Sequence, residues 1–321
     1  LFSNHFKIAP DTLAKEGLID PFLTVDTPLF VDPILLDKSG KKIIREDAYA
    51  GLRKHFENVV RLLLISKAEG DAAWKAAQVQ LSLREPPANG LGYGTSDRPG
   101  TSRPNDLRDT ILRTIKEVIA LGVNDPEMIS LMGFFEEQVG PDTISDLTSR
   151  VIEPQLAIMT NAFCVAQGVP VRKSASTPDI ALPHYSRSNG KERAIVLVPI
   201  DVVRELPIAN DWSEIEAAIN ANAAMRARVN AFLAGIVRPT VTDRKDAIRR
   251  AAFQSKQLFD AFLAAMKAHA TNYDPNSDAL GYYLLRDILN SKPDDFKVDS
   301  KYEVANGIDE IKRAVKDSIE M

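Results

Sequence analysis

The densest run of chemistry-bearing side chains is Glu136-Glu137-Gln138-Val139-Gly140-Pro141-Asp142-Thr143-Ile144-Ser145-Asp146-Leu147-Thr148. Gly-Pro sets a tight turn, and proline is favoured where a helix begins, so a helix is expected to restart just after or at Pro141. Asp142 is the expected N-cap. Asp142 and Asp146 are four residues apart and share one helix face, while Glu136 and Glu137 approach from the end of the preceding helix. A trio of Glu137, Asp142 and Asp146 converging on one point would hold a hard cation such as Mg²⁺ or Mn²⁺. With the metal, the trio would support phosphodiester hydrolysis. The competing reading is that acidic residues at a helix start simply complement the helix dipole. No histidine and no second ligand motif lies nearby in the sequence.

A second candidate is Gly90-Leu91-Gly92-Tyr93-Gly94-Thr95-Ser96, inside the long Gly-, Pro-, Ser- and Arg-rich stretch from Pro86 to Arg103. Successive glycine amides can cradle phosphate. The loop lacks the closing Gly-Lys-Ser/Thr of a nucleotide-binding P-loop, and Pro99 and Pro104 exclude the strand–turn–helix of a dinucleotide fingerprint. What remains is a set of cations, Arg98 and Arg103 on the loop and Arg108 and Arg113 on the following helix, suited to a phosphate backbone or to a solvated surface loop. A third candidate is the recurrence of Asn222, Arg226 and Asn230 every four residues, a polar stripe facing solvent or, if covered, a partner or ligand. The fourth is Tyr273-Asp274-Pro275-Asn276-Ser277-Asp278, which starts like a calcium loop. Ala279 and Leu285 stand where that loop needs glycine and glutamate. The four histidines show no ligand spacing, and no nucleophile elbow is present.

These residues must be positioned by a largely helical chain. Leu52, Phe56, Val59, Val60 and Leu63 recur at helical spacing within 45–66, and weaker helix follows over 68–83. Leu107, Ile111, Ile115 and Val118 mark a helix over 106–121, closed by Gly122. A short helix over 126–135 precedes the acidic turn, and Pro154 is expected to kink or split the helix that follows it. Ala194-Ile195-Val196-Leu197-Val198 is the clearest strand, and short extended pieces are expected at 22–25 and 29–31 between prolines. Asp211 and Glu214 have the spacing of a capping box. Long helices are then expected over 211–232 and 243–269, with others at 279–289 and 302–319. The fold class expected is mainly α with a small β-sheet, with no Rossmann or TIM-barrel pattern. Three regions are expected: 1–104, 105–192 and 193–321.

The 321 residues carry 40 Lys+Arg against 44 Asp+Glu, a net charge of −4, with 45% hydrophobic residues. These values exclude disorder and a uniformly basic nucleic-acid coat. Cys164 is the single cysteine, so no intrachain disulfide exists, and its apolar neighbours point to a buried, unreactive thiol. No signal peptide and no apolar run long enough for a membrane span is seen, so a cytoplasmic location without membrane contact is expected. The chain starts at Leu1, and the apolar face of Ile308, Ile311, Val315 and Ile319 runs to Met321 without a stop signal, so the gene is expected to continue.

Four segments together carry a resemblance: Asp26-Thr-Pro-Leu-Phe-Val-Asp-Pro-Ile-Leu-Leu36, Gly140-Pro-Asp-Thr-Ile-Ser-Asp-Leu-Thr148, Val196-Leu-Val-Pro-Ile-Asp201 and Tyr273-Asp-Pro-Asn-Ser-Asp278. Across about residues 5–320 the chain resembles a scattered family of prokaryotic proteins from mobile and phage-defence gene neighbourhoods. The resemblance implies a longer protein whose C-terminal segment is similar to a PD-(D/E)xK-type nuclease core. That core has no counterpart here, so none of its catalytic residues carries over. Three functions are therefore expected, in order. The first is a helical targeting or regulatory module acting on DNA or RNA beside a nuclease, using Arg98, Arg103, Arg108, Arg113, Arg226 and Asn230. It requires a local basic patch despite the acidic total. The second is a Mg²⁺- or Mn²⁺-dependent phosphodiesterase using Glu137, Asp142 and Asp146. The third is a sensor subunit that docks a protein partner or a second copy of itself.

Overall fold

The computed structural model describes residues 1–9, 11–23, 26–27, 29–81, 88–92, 105–136, 139–173, 178–186, 192–204, 212–236 and 238–274. Among these the architecture is mainly α, with two small two-stranded antiparallel sheets. Two short helices, α1 (Phe2–Phe6) and α2 (Asp11–Lys15), precede strand β1 (Phe30–Val31) and a 3₁₀ turn over Pro33–Lys38. A π-helical turn, Ile43–Ala48, runs directly into α3 (Tyr49–Ile65), and the expected apolar stripe of Leu52, Phe56, Val59, Val60 and Leu63 is its buried face. Helix α4 (Ala72–Gln80) starts where Asp71 accepts from the Trp74 amide at 2.7 Å. Helix α5 (Asn105–Ala120) follows, and Gly122 ends it at φ +86°, a left-handed conformation suited to glycine.

The centre of the chain runs through a 3₁₀ turn at Pro126–Leu131, α6 (Met132–Phe135), α7 (Pro141–Val151) and α8 (Glu153–Ala166). Pro154 splits the last two as its missing amide requires: it occupies the second position of α8, where no intrahelical bond is lost. Strands β2 (His184–Ser186) and β3 (Glu192–Ala194) pair antiparallel, with Tyr185 opposite Arg193. Strand β4 (Val203–Arg204) pairs with β1, placing Phe30 opposite Arg204. Four helices complete the described chain: α9 (Trp212–Asn220), α10 (Ala223–Leu233), α11 (Val241–Ala252) and α12 (Lys256–His269).

Three expectations change. The run Ala194–Val198 is buried and extended, but only Ala194 joins a ladder. Its neighbours bond to separate segments: Ile195 N–H to Pro183 O, Val196 N–H to Ala88 O and Leu197 N–H to the Thr160 hydroxyl, while Val198 O accepts from Ile19. These bonds, with a single parallel bridge from Ile195 to Ala88, hold the run in place without a regular ladder beyond Ala194. The helix expected over 211–232 breaks at Asn222, whose side chain accepts from the Ala224 and Met225 amides and caps α10. The helix expected over 243–269 breaks at Phe253–Ser255, where Ser255 caps α12. The break lets α12 pack against α9 while α11 packs against α6 and α10. The helices expected at 279–289 and 302–319, the calcium-like loop beyond Asp274 and the Asp211 cap lie outside the described residues.

The main core is continuous from Ile19 to Tyr273 and draws on all three regions. A smaller core gathers Phe2, Leu13, Leu18, Phe163, Cys164, Ile195 and Leu197. Cys164 is fully buried there, and burial pushes its thiol up to about 12, which makes it unreactive.

Candidate functional site

At the acidic turn, Gly140 is the N-cap of α7, with Pro141 first and Asp142 second. The expected Asp142 cap is thus corrected by two positions, to Gly140, because proline takes the first helical place and leaves the cap to the residue before it. Asp142 and Asp146 sit one turn apart on α7, both partly exposed. Glu137 lies outside the described residues. Among the described residues no group of three His, Cys, Asp or Glu side chains is arranged to hold a metal ion.

Glu136 turns away from this pair. It accepts from the Thr114 hydroxyl on α5 and from Arg249 on α11, and Arg249 also donates to Glu117 at 2.6 Å. Buried Lys245 donates to the carbonyls of Glu136 at 2.7 Å and Val139 at 3.4 Å. Two cations of α11 therefore clasp the segment leading into the acidic turn.

The Gly-rich loop, read separately in the sequence, meets the acidic turn in the fold. Gly92 has φ +117°, and a Cβ there would stand 2.8 Å from Asp142 Oδ1. Thr27 holds the loop on its other side, donating to Gly90 O at 2.7 Å and accepting from Gly92 N–H at 2.9 Å. The signal available in the sequence was the glycine itself, which permits a close backbone approach.

A pocket with a largely apolar wall lies between α3, α12 and the two 3₁₀ turns, and Asp37, Tyr49, Arg53, Glu127 and Lys267 are among the residues that line it. Glu127 is its hub. It accepts from the Tyr49 hydroxyl, from Arg53 at 2.8 Å and from Lys267. Burial pushes the Glu127 carboxyl up, but the bonds from Lys267, Tyr49 and Arg53 outweigh it, so its pKa lies below the ordinary glutamate value. Burial and the bond to Glu127 together raise the Tyr49 phenol. All four groups thus stay in their usual charge states at neutral pH, as a structural clamp requires. Asp37 Oδ1 is buried at the edge of this pocket with no hydrogen-bond partner. The spacing of these residues in sequence, from 37 to 267, gave no hint of the cluster.

The residues proposed for phosphate fall in three places. Arg98 and Arg103 lie outside the described residues. Arg108 is partly exposed on α5, and Arg113 is held by Glu69 through two bonds, 2.8 and 3.0 Å. That pairing lowers the Glu69 carboxyl and neutralises the guanidinium. Arg226 and Asn230 are exposed on α10, while Asn222 leaves the stripe to serve as a cap.

The basic surface lies further along than the loop. Residues 223–252 hold seven Arg or Lys against two Asp, a net +5 in a chain of net −4. Arg226, Arg228, Arg238 and Arg250 are exposed and form no ion pair among the described residues. Asp243, by contrast, is engaged in the capping box with Thr240. Arg250 lies over the Phe232 ring, 4.8 Å from its centroid. Of these four, the four-residue recurrence in the sequence singled out only Arg226, because Arg228 lies off that stripe, Arg238 in the connection and Arg250 on α11.

No helix among the described residues is long and apolar enough to cross a membrane. No curated protein and no solved structure matches the chain. A family described as a domain of unknown function, DUF8370, matches residues 7–210. That segment contains the acidic turn, the Gly92 contact and Glu127, whereas the basic hairpin lies beyond it. With more than half of its residues matched, the chain belongs to the DUF8370 family.

Proposed function

We propose that this chain is the helical targeting or regulatory module of a prokaryotic anti-phage defence protein, engaging nucleic acid through the α10–α11 hairpin beside a nuclease. The defence setting comes from the resemblance described above. The observation that carries the nucleic-acid reading is the local charge: four exposed arginines without ion pairs among the described residues, on a net +5 segment of an acidic chain. Such a patch attracts a polyanion whatever the total charge, and neutralised phosphates release counterions, so binding must weaken with salt.

The test is fluorescence anisotropy with labelled DNA and RNA strands over a salt series. Replacing Arg226, Arg228, Arg238 and Arg250 together by glutamine is expected to weaken binding at every sequence. It should also reduce the slope of log affinity against log salt by about 3, at roughly 0.7 per phosphate contact on a single strand. Unchanged affinity and slope would refute the reading.

One observation favours a second reading, metal-dependent phosphodiester hydrolysis at Asp142 and Asp146. Gly92 brings bare backbone against Asp142, leaving that carboxylate beside a glycine loop. The two aspartates have the chemistry to share a Mg²⁺ or Mn²⁺ ion. Cleavage of a labelled strand with either metal, abolished in Asp142→Ala and Asp146→Ala, would support it; no cleavage by the unaltered chain would end it.

A further inference from the structure

Arg249 and Arg250 each lie over a phenylalanine ring, and their surroundings differ. Arg249 is 5.0 Å from the Phe253 centroid and gives its hydrogen bonds to Glu136, Glu117 and the Thr114 hydroxyl. Arg250 is 4.8 Å from the Phe232 centroid, exposed, and without an ion pair among the described residues. Its guanidinium therefore stands over an aromatic ring on a residue that is exposed to solvent. Phe232 is half-buried, packed against the main core, so the ring has a fixed position. Arg228 stands one turn before Phe232 on the same face of α10, also exposed and without an ion pair among the described residues. Helix α10 contains no Asp or Glu that would repel a phosphate.

We propose that Arg228, Phe232 and Arg250 form a stacking platform for an unpaired base, so that the hairpin binds single-stranded nucleic acid. This rests on the nucleic-acid reading above and narrows its substrate class. A guanidinium already supported by a ring offers its second face to another flat π-system, and bases stack on arginine planes in this way. A base inside a duplex is stacked on its neighbours and cannot reach the platform. Arg228 holds the adjoining phosphate, and Arg226 and Arg238 contribute charge without selecting strand type. Because every base has a π-face, the platform tolerates any sequence.

The experiment measures anisotropy of the 321-residue chain with a 12-nucleotide single strand, its duplex and a strand of equal length built of abasic sites. Phe232→Leu keeps the apolar packing and removes the ring; Arg250→Lys keeps the charge and removes the plane; Arg238→Gln removes charge alone. Stacking on one base predicts that Phe232→Leu and Arg250→Lys each weaken the single strand by about 5- to 10-fold. They should weaken the abasic strand less than 2-fold. Arg238→Gln should weaken all three ligands alike. A thermal melt within a few degrees of the parent shows that each variant is folded. Equal losses on normal and abasic strands, or a duplex bound as tightly as the single strand, would overturn the platform and leave the phosphate reading standing. No binding to any ligand at low salt would overturn both.

Discussion

Strand β4 returns to β1 across most of the chain, and the contact is anchored by a buried ion pair. Arg204 donates to Asp32 from positions only 3% and 2% exposed. Asp32 also caps the first 3₁₀ turn, accepting from the Ile34 amide at 2.9 Å, and its own amide donates to Val202 O at 3.0 Å. Asp32→Ala removes the carboxylate and leaves the guanidinium buried without it. Breaking a buried pair by removing one partner costs about 3–5 kcal/mol, and losing the cap adds about 1 kcal/mol. That is a large part of the roughly 5–15 kcal/mol that holds a typical domain. Asp32→Ser keeps a capping oxygen and loses the charge, so paired with Arg204→Met it removes both buried charges at once. Replacing both members of such a pair by uncharged groups is often close to neutral. The double variant should therefore unfold at a urea midpoint well above what the summed losses of Asp32→Ser and Arg204→Met alone would give, with a coupling of about 2 kcal/mol or more in that double-mutant cycle. Urea unfolding followed by far-UV circular dichroism reads all four corners of the cycle. Strictly additive losses, or an Asp32→Ala cost under about 1 kcal/mol, would refute the argument that the buried pair is interdependent.

Three further outcomes are expected. Glu127 has a folded pKa below its ordinary value of about 4.3, so its stabilisation is present above that value and is lost as pH falls through the folded pKa; Glu127→Gln should flatten the acid limb of a stability–pH curve, and a parallel curve would contradict this. Gly90 has φ +71°, and a Cβ would meet Pro21 Cβ at 2.6 Å and Phe22 O at 3.0 Å; Gly90→Ala should destabilise by about 2–4 kcal/mol in urea unfolding, and an unchanged midpoint would show that the 88–92 segment packs otherwise. Cys164, with its thiol pushed up to about 12, should react with a thiol reagent only on addition of denaturant, and stoichiometric labelling of the native chain would disprove its burial.

What the sequence determined is local. Helices α3 and α5 follow from apolar residues at three- and four-residue spacing, the α7–α8 split follows from Pro154, and the end of α5 follows from Gly122, because periodicity, a missing amide and a left-handed φ act within a few residues. The buried state of Cys164 follows from its apolar neighbours in the same way. Capping was legible in type and missed in place: Asn222 and Ser255 carry the right side chains, yet nothing nearby distinguishes a cap from a polar residue inside a long helix. The tertiary structure alone decided the rest. Ala194–Val198 has the composition of a strand, but its partners at 19, 88, 160 and 183 let it remain a single buried thread. Gly92 reaches Asp142, Glu127 gathers Tyr49, Arg53 and Lys267, and Arg250 finds Phe232 only when the helices pack. Arg113 looked available for phosphate until the fold placed Glu69 against it. Charges act through space at distances set by packing, so whether an arginine is spent on a carboxylate or left for a ligand depends on residues far away in the chain.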